Sequence, residues 1–116
     1  MIVIELPGEP KGKGRPRFGR GRAYTPADTR SYEEALAWEG RRVMGSRQPL
    51  DGPLCVRIEA KRSKPPTAKP DADNIGKMAD ALNGIVWRDD CQIVDMRIIK
   101  TRADVPSLTI TVEPSA

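Results

Sequence analysis

The sequence predicts an α+β fold. We expect a single small domain (residues 1–116) in which two helices pack on one face of a mixed sheet of about four strands. Short segments alternate between apolar and polar residues, as half-buried strands do, and two longer segments carry apolar residues at helical spacing. Neither an internal repeat nor a linker interrupts the 116 residues. The expected order of elements is β-α-β-α-β-β.

Four segments show the alternation of a strand. The first begins at Ile2 and ends before Pro7-Gly8, and the second covers residues 54–61. The third covers residues 94–98, and the last covers residues 108–113. Their apolar residues would form one face of the sheet, so we expect both helices to cover that face. The opposite face carries polar residues that are free to meet a partner, among them Arg57, Glu59 and Arg97.

Two segments have the apolar spacing of a helix. The first is expected to start at Thr25-Pro26, because proline is favoured in a first helical turn, and to end at Gly45. Its core face would consist of Tyr32, Ala35, Leu36 and Val43. The second is expected over residues 74–84, with a core face made of Ile75, Met78, Ala79 and Leu82.

The composition excludes several kinds of active site. The chain has no histidine, which rules out Ser-His-Asp and Cys-His nucleophiles and a histidine-bound zinc ion. Its two cysteines, Cys55 and Cys91, are too few for an all-cysteine zinc site and do not resemble a secreted disulfide framework. No apolar run approaches the roughly 20 residues of a membrane span, and Met1 leads directly into a strand rather than a signal peptide. We therefore expect a cytoplasmic protein whose chemistry depends on carboxylates, amines, hydroxyls or an oxygen-bound metal.

Positive charge is concentrated in a glycine-rich loop at residues 8–25, named here the basic loop, and in a second cluster at residues 61–69. Both would attract a polyanion, and the glycines of the basic loop would let backbone amides approach phosphates closely. The alternative is that the basic loop only keeps the protein soluble. A small hairpin is expected within it, around Gly19 and Gly21. The candidate DNA-binding residues are Lys11, Lys13, Arg15, Arg17, Arg20, Arg22, Lys64 and Lys69.

Acidic residues form a separate constellation. Pro70 favours an extended conformation before it, and an extended Asp71-Ala72-Asp73 would project both carboxylates to the same side. Lys77 follows Asp73 by one helical turn. A helix over residues 74–84 covers about 16 Å at ~1.5 Å per residue. The six steps from residue 84 to residue 90 reach up to about 20 Å, so Asp89-Asp90 can return to the first pair.

Three carboxylates without histidine suit Mg²⁺ or Mn²⁺ better than zinc. Such a metal would offset the repulsion between the acids and DNA, polarise a phosphate and lower the pKa of an attacking water. Lys77 could neutralise charge on the phosphate or orient the water. Each residue also has a structural alternative: Asp73 as a helix N-cap, Asp73 and Lys77 as a surface ion pair, and Asp89-Asp90 as a turn. Asp80 is interpreted as structural.

Three motifs within residues 69–93 resemble the RusA family of Holliday junction resolvases. They are K-P-D-x-D-N-x-x-K from Lys69, D-A-L-N-G from Asp80 and D-D-x-Q-I from Asp89. The basic residues 8–18 and Tyr24-Thr25-Pro26 also resemble the basic entry segment of phage-type members.

The resemblance implies a homodimeric, Mg²⁺-dependent endodeoxyribonuclease, with Mn²⁺ as a substitute metal. Such an enzyme resolves four-way DNA junctions by paired symmetric nicks in recombination and repair. The family's metal-binding aspartates fall on Asp71, Asp73 and Asp90, with Asp89 as a substitute for Asp90, and its catalytic lysine falls on Lys77. The protein would be nucleoid-associated or phage-encoded. The alternative function is a non-catalytic basic nucleic-acid-binding module whose acids only cap helices and turns.

Overall fold

The computed structural model describes residues 1–12, 17–19, 22–24 and 27–115. These residues form six strands, two α-helices and two 3₁₀ helices. In chain order the elements are β1 (Ile2–Pro7), β2 (Arg17–Gly19), β3 (Arg22–Tyr24), α1 (Ala27–Met44), β4 (Leu54–Arg62), α2 (Ala72–Gly76), a first 3₁₀ helix (Lys77–Leu82), a second 3₁₀ helix (Asp90–Gln92), β5 (Ile93–Arg102) and β6 (Ser107–Pro114).

Four strands form one mixed sheet in the order β1-β6-β4-β5. Strand β6 is antiparallel to both β1 and β4, whereas β4 and β5 are parallel. Parallel neighbours need a crossover connection, and α2 with the two 3₁₀ helices supplies it, so the acidic motifs lie on this crossover. The predicted α+β class and the four-stranded mixed sheet are confirmed. The small hairpin is also present, as β2 and β3 pair separately with Phe18 opposite Ala23.

The hydrophobic core lies between the helices and the alternate apolar residues of β1, β4 and β6, as predicted. On α1 the buried stripe runs through Tyr32, Leu36, Gly40 and Met44. Ala35, which was expected on this face, is exposed. The reason is the close approach at Gly40, where an added Cβ would lie 2.7 Å from Leu82 Cδ2. This contact turns the Gly40 side of the helix, rather than the Ala35 side, toward the core.

The second predicted helix differs in position and type. It starts at residue 72 and is α-helical only to Gly76, after which it continues as a 3₁₀ helix to Leu82. In a 3₁₀ helix residues three apart are aligned, and the buried residues fall in two such rows: 75 and 78, then 76, 79 and 82. All four predicted core residues are buried. Gly76 allows close packing on β5, because a Cβ there would lie 2.5 Å from Ile98 Cδ1.

Strand β5 is longer than predicted and lies at the edge of the sheet. Its position leaves two of its apolar residues accessible: Val94 is 62% exposed and Met96 is 39% exposed. The helices thus cover the apolar face of the sheet as predicted but leave part of this edge strand exposed. No helix in the described part of the chain is long and apolar enough to cross a membrane.

Candidate active site

A cavity of about 350 Å³ lies between the crossover and strand β5. Asp73 and Lys77 line it from α2 and the start of the first 3₁₀ helix, Asp80 from the middle of that helix, and Asp90 from the second 3₁₀ helix. Its apolar lining comes largely from β5, and consists of Ala79, Ile93, Met96 and Ile98. The cavity thus combines three carboxyl groups and one amine above a hydrophobic floor.

Three of the four predicted catalytic residues share this cavity, namely Asp73, Lys77 and Asp90. Asp71 is not among the lining residues. It occupies the N-cap position of α2 in an extended conformation (φ −67°, ψ 155°), and its carbonyl oxygen accepts a hydrogen bond from Ile75 N at 3.1 Å. Ala72 already belongs to the helix. The prediction that residues 71–73 are all extended is therefore wrong.

Asp80 lies beside Asp90 on the cavity wall, where the sequence predicted only a structural role for it. A hydrogen bond between the Asp80 and Asp90 carboxyl groups is the largest cause that raises the pKa of Asp90 above its ordinary value. Slight desolvation and the negative charges of Asp80 and Asp89 raise this pKa further. Like charges this close disfavour simultaneous ionisation. The only sequence signal for this pairing was the D-A-L-N-G motif, which does not say what Asp80 contacts.

The neighbouring Asp89 and Cys91 interact with each other outside the cavity lining. A hydrogen bond from the Cys91 thiol is the main cause that lowers the pKa of Asp89. The same hydrogen bond, together with the negative charges of Asp89 and Asp90, raises the pKa of the Cys91 thiol. The thiol is therefore held protonated, which agrees with the expectation that a thiolate is disfavoured here.

Gln92 fixes the turn that presents Asp90. Its side-chain oxygen accepts hydrogen bonds from Arg88 N (2.8 Å) and Asp89 N (3.1 Å). Its side-chain nitrogen donates to Leu50 O (2.9 Å) and Gly52 O (3.0 Å). Both ends of the Gln92 amide are thus hydrogen-bonded. They join the turn at residues 88–92 to the loop at residues 50–52. The motif D-D-x-Q-I contains this glutamine, but the sequence alone assigned it no role.

Arg62 fixes the segment that precedes Asp71. This arginine is 1% exposed, and its guanidinium donates to the carbonyl oxygens of Ala68 and Lys69. Lys100 Nζ donates to the same Ala68 oxygen at 3.0 Å. The Arg62 Nε lies 3.8 Å from Glu9 Oε1. A buried charge is stable only when it is paired and hydrogen-bonded, so these contacts define where the chain enters α2.

The start of the basic loop packs directly against the acidic segment. A Cβ at Gly12 would lie 2.7 Å from Pro70 Cβ and 3.0 Å from Asn74 Cβ, so the backbone approaches more closely than any other residue would allow. Lys11, Lys64 and Lys69 are exposed. Arg17 and Arg22 belong to β2 and β3, while Lys13, Arg15 and Arg20 lie outside the described residues. Basic residues therefore flank the segment that carries the acids.

The donors of the cavity suit a hard divalent cation, because they are carboxylate oxygens. A divalent cation would also remove the repulsion between Asp80 and Asp90 that raises the pKa of Asp90. Within the described residues, however, no three acidic or cysteine side chains already converge closely enough to hold one ion. The residues fit such a cation in their chemistry, and binding would have to draw the side chains together.

A domain that combines this carboxylate- and lysine-lined cavity with flanking basic residues has the features of a phosphodiester hydrolase that acts on nucleic acid. The family model described as Endodeoxyribonuclease RusA matches residues 7–113. The chain belongs to this family of endodeoxyribonucleases.

Individual relatives agree with the family match. The crossover junction endodeoxyribonuclease RusA of Enterobacteria phage 82 is 33% identical over 93% of this chain and 92% of its own length. The protein of the same name from Escherichia coli strain K12 is 32% identical over the same shares. The Bacillus subtilis protein YqaN, whose function is uncharacterized, is 27% identical over 96% of this chain and 94% of its own length.

Proposed function

We propose that this chain is a structure-specific, Mg²⁺-dependent endodeoxyribonuclease that resolves Holliday junctions by paired symmetric nicks, in recombination and repair. The observation that carries the proposal is that Asp73, Lys77 and Asp90 line one cavity. Asp73 and Asp90 belong to different helices of the crossover and are almost twenty residues apart in the chain. The relatives named crossover junction endodeoxyribonuclease supply the substrate class. Since DNA is the substrate, the proposed place of action is the cytoplasm.

We propose that Asp71, Asp73 and Asp90 hold Mg²⁺, for which Mn²⁺ can substitute. When bound, the ion polarises the scissile phosphate and lowers the pKa of the attacking water. Lys77 lies on the same cavity wall as Asp73 and carries a positive charge that can stabilise the charge developing on the phosphate. Met96 and Ile98 form an apolar floor beside these groups.

The DNA is proposed to lie across the basic loop and the loop before Asp71. Lys11 is exposed at the start of the basic loop, and Lys64 and Lys69 are exposed on the loop that leads to Asp71. Together with Lys13, Arg15, Arg17, Arg20 and Arg22, they supply the phosphate contacts that offset the repulsion from the cavity acids.

A homodimer is proposed because the substrate has two-fold symmetry. A four-way junction presents two equivalent strands, and two equivalent subunits can place one active site on each. A single subunit with one cavity would cut one strand at a time. Paired nicks therefore require a second copy of the chain.

The experiment compares the wild type with Asp71→Asn, Asp73→Asn and Asp90→Asn on a synthetic four-way junction and a matched duplex. Asp104→Asn is the control, because Asp104 is an exposed acid outside the cavity. We expect symmetric, Mg²⁺-dependent nicks in the junction only. The three aspartate variants should bind the junction at least as tightly as the wild type, since each removes a repelling charge, but should cut it at least about a hundredfold more slowly.

Two outcomes would overturn the proposal. A wild-type protein that binds junctions without cutting them across a range of Mg²⁺ and Mn²⁺ concentrations would be the non-catalytic module. Full activity in Asp90→Asn would mean that the cavity takes no part in cleavage. If Asp73→Asn and Asp90→Asn slow cleavage but Asp71→Asn does not, then the metal ligands lie in the cavity and Asp71 is not one of them.

A further inference from the structure

Strand β5 offers an unusually long free edge. It has ten residues and is paired on one side only among the described strands. A sheet edge presents unpaired N–H and C=O groups that can pair with another chain. The opposite edge, β1, has six residues and ends in Pro7, which cannot donate a hydrogen bond. Of the two edges, β5 is therefore the one suited to strand pairing.

Two apolar side chains of β5, Met96 and Ile98, lie on the same face as the cavity. Register places Met96 opposite Val56 and Ile98 opposite Ile58, which are both buried on the helix-covered face. The register shifts between Leu54 and Cys55, so Val94 is left without a partner on β4 at an irregularity of the strand. Natural edge strands are commonly protected by charged side chains, proline or bulges. On β5 the face that carries Met96 and Ile98 is apolar at these two positions, and Met96 is 39% exposed.

We propose that two copies of this chain pair their β5 strands antiparallel about Met96, which joins the two sheets into one. This inference rests on the homodimer in the proposed function and identifies its interface. A two-fold axis perpendicular to the sheet keeps the helix-covered faces on the same side. Residues of the same face must then lie opposite each other. At the axis, one residue of β5 therefore lies opposite the same residue of the second copy, and the axis is named after that residue.

Charge selects the central residue. When the axis passes through Met96, Asp95 lies opposite Arg97 of the second copy, and this ion pair occurs twice. Met96 then lies opposite the same residue of the second copy. An axis through Asp95 or through Arg97 would instead place like charges opposite each other, which is unfavourable. Within the described residues neither Asp95 nor Arg97 has an ion pair of its own.

The arrangement has a consequence for the cavities. Met96 and Ile98 belong both to the interface and to the cavity floor, so each cavity lies next to the axis. Because the axis is perpendicular to the sheet, both cavities open on the same side of the joined sheet. One continuous DNA-binding surface would then carry both active sites, as a two-fold symmetric junction requires.

The charge test uses analytical ultracentrifugation of the full chain. Asp95→Arg places two arginines opposite each other twice, and should weaken dimerisation about 10- to 100-fold. The double variant Asp95→Arg/Arg97→Asp exchanges the charges and should restore it. Asp104→Arg makes the same charge change outside the interface and should have no effect. A dimer that is equally stable in Asp95→Arg, or that the double variant does not restore, would overturn the register.

A cross-linking test does not depend on the folding of the charge variants. In a Cys55→Ser/Cys91→Ser background, Met96→Cys should form a disulfide-linked dimer under mild oxidation, whereas Val3→Cys on β1 should not. Junction cleavage is measured in parallel. A monomeric wild type that still makes paired nicks would overturn the interface and leave the proposed activity standing. A dimeric wild type that cuts no junction, together with the Met96→Cys cross-link, would do the opposite.

Discussion

Arg62 provides a sharp test of how the fold positions the site. In Arg62→Met the side chain keeps an unbranched stem that reaches about as far as the arginine Nε, but loses the guanidinium that binds the carbonyl oxygens of Ala68 and Lys69. A hydrogen bond from a charged donor contributes about 1.5–3 kcal/mol, and part of the loss of two is offset because no charge is buried any longer. We therefore expect a loss of about 3 kcal/mol in the free energy of unfolding.

The loss should be visible in thermal unfolding followed by circular dichroism. For a domain of this size about 1 kcal/mol corresponds to roughly 4 °C in Tm, so the expected decrease is about 12 °C. The matched control is Arg57→Met on the same strand. Arg57 is exposed and forms a surface ion pair with Glu59 at 3.1 Å, so its loss should change stability by less than about 0.5 kcal/mol.

Activity separates a positioning role from a purely stabilising one. Well below the Tm of the variant, Arg62→Met should still cut junctions more slowly and need more Mg²⁺, because the chain entering α2 has lost its anchor. Arg62→Lys should recover part of the rate, since an ammonium can still donate to one of the two carbonyls. Wild-type stability in Arg62→Met would refute the energetic reasoning. Lower stability with an unchanged Mg²⁺ dependence would refute the positioning role.

Two further predictions concern the cavity wall. The raised pKa of Asp90 means that the folded protein binds its proton more tightly than the unfolded chain, so Asp90 costs stability once pH rises above that pKa. Without metal, Asp90→Asn should have a higher Tm than the wild type at pH 7, with a difference that shrinks as pH falls toward the ordinary aspartate pKa of 3.8; a constant difference would contradict the repulsion. Gln92→Leu should cost about 1–3 kcal/mol in unfolding experiments and slow cleavage, because the carbonyls of Leu50 and Gly52 lose their donor. The exposed Gln48→Leu is its control, and equal stability of the two variants would count against the turn anchor.

A residue outside the cavity lining anchors one member of the acid pair. Asp80 and Asp90 are brought together although like charges repel, and Gln92 holds the turn that carries Asp90. Storing such repulsion requires a rigid surrounding structure. The same repulsion would be relieved by a divalent cation, which links the strain to the proposed chemistry.

Local patterns in the sequence determine the class of fold. The alternation of Leu54, Val56 and Ile58 places them on one face of β4 whatever else the chain does, because side chains in a strand alternate. The spacing of Ile75, Met78, Ala79 and Leu82 likewise specifies a buried helical face. It does not specify the type of helix, because α and 3₁₀ helices both place residues three apart close together. The packing of Gly76 on Ile98 accompanies the short α segment here.

The sequence by itself determined which residues carry chemistry, since the types and spacing of Asp73, Lys77 and Asp90 are local features that motifs record. Only the tertiary structure decided which of them meet. It placed Asp80 beside Asp90, moved Asp71 to a helix N-cap and set Arg62 beneath the loop before it. These contacts join parts of the chain that are distant in sequence, and their geometry follows from how the crossover packs on the sheet. No periodicity or composition encodes such a distance, because it results from the packing of the whole domain.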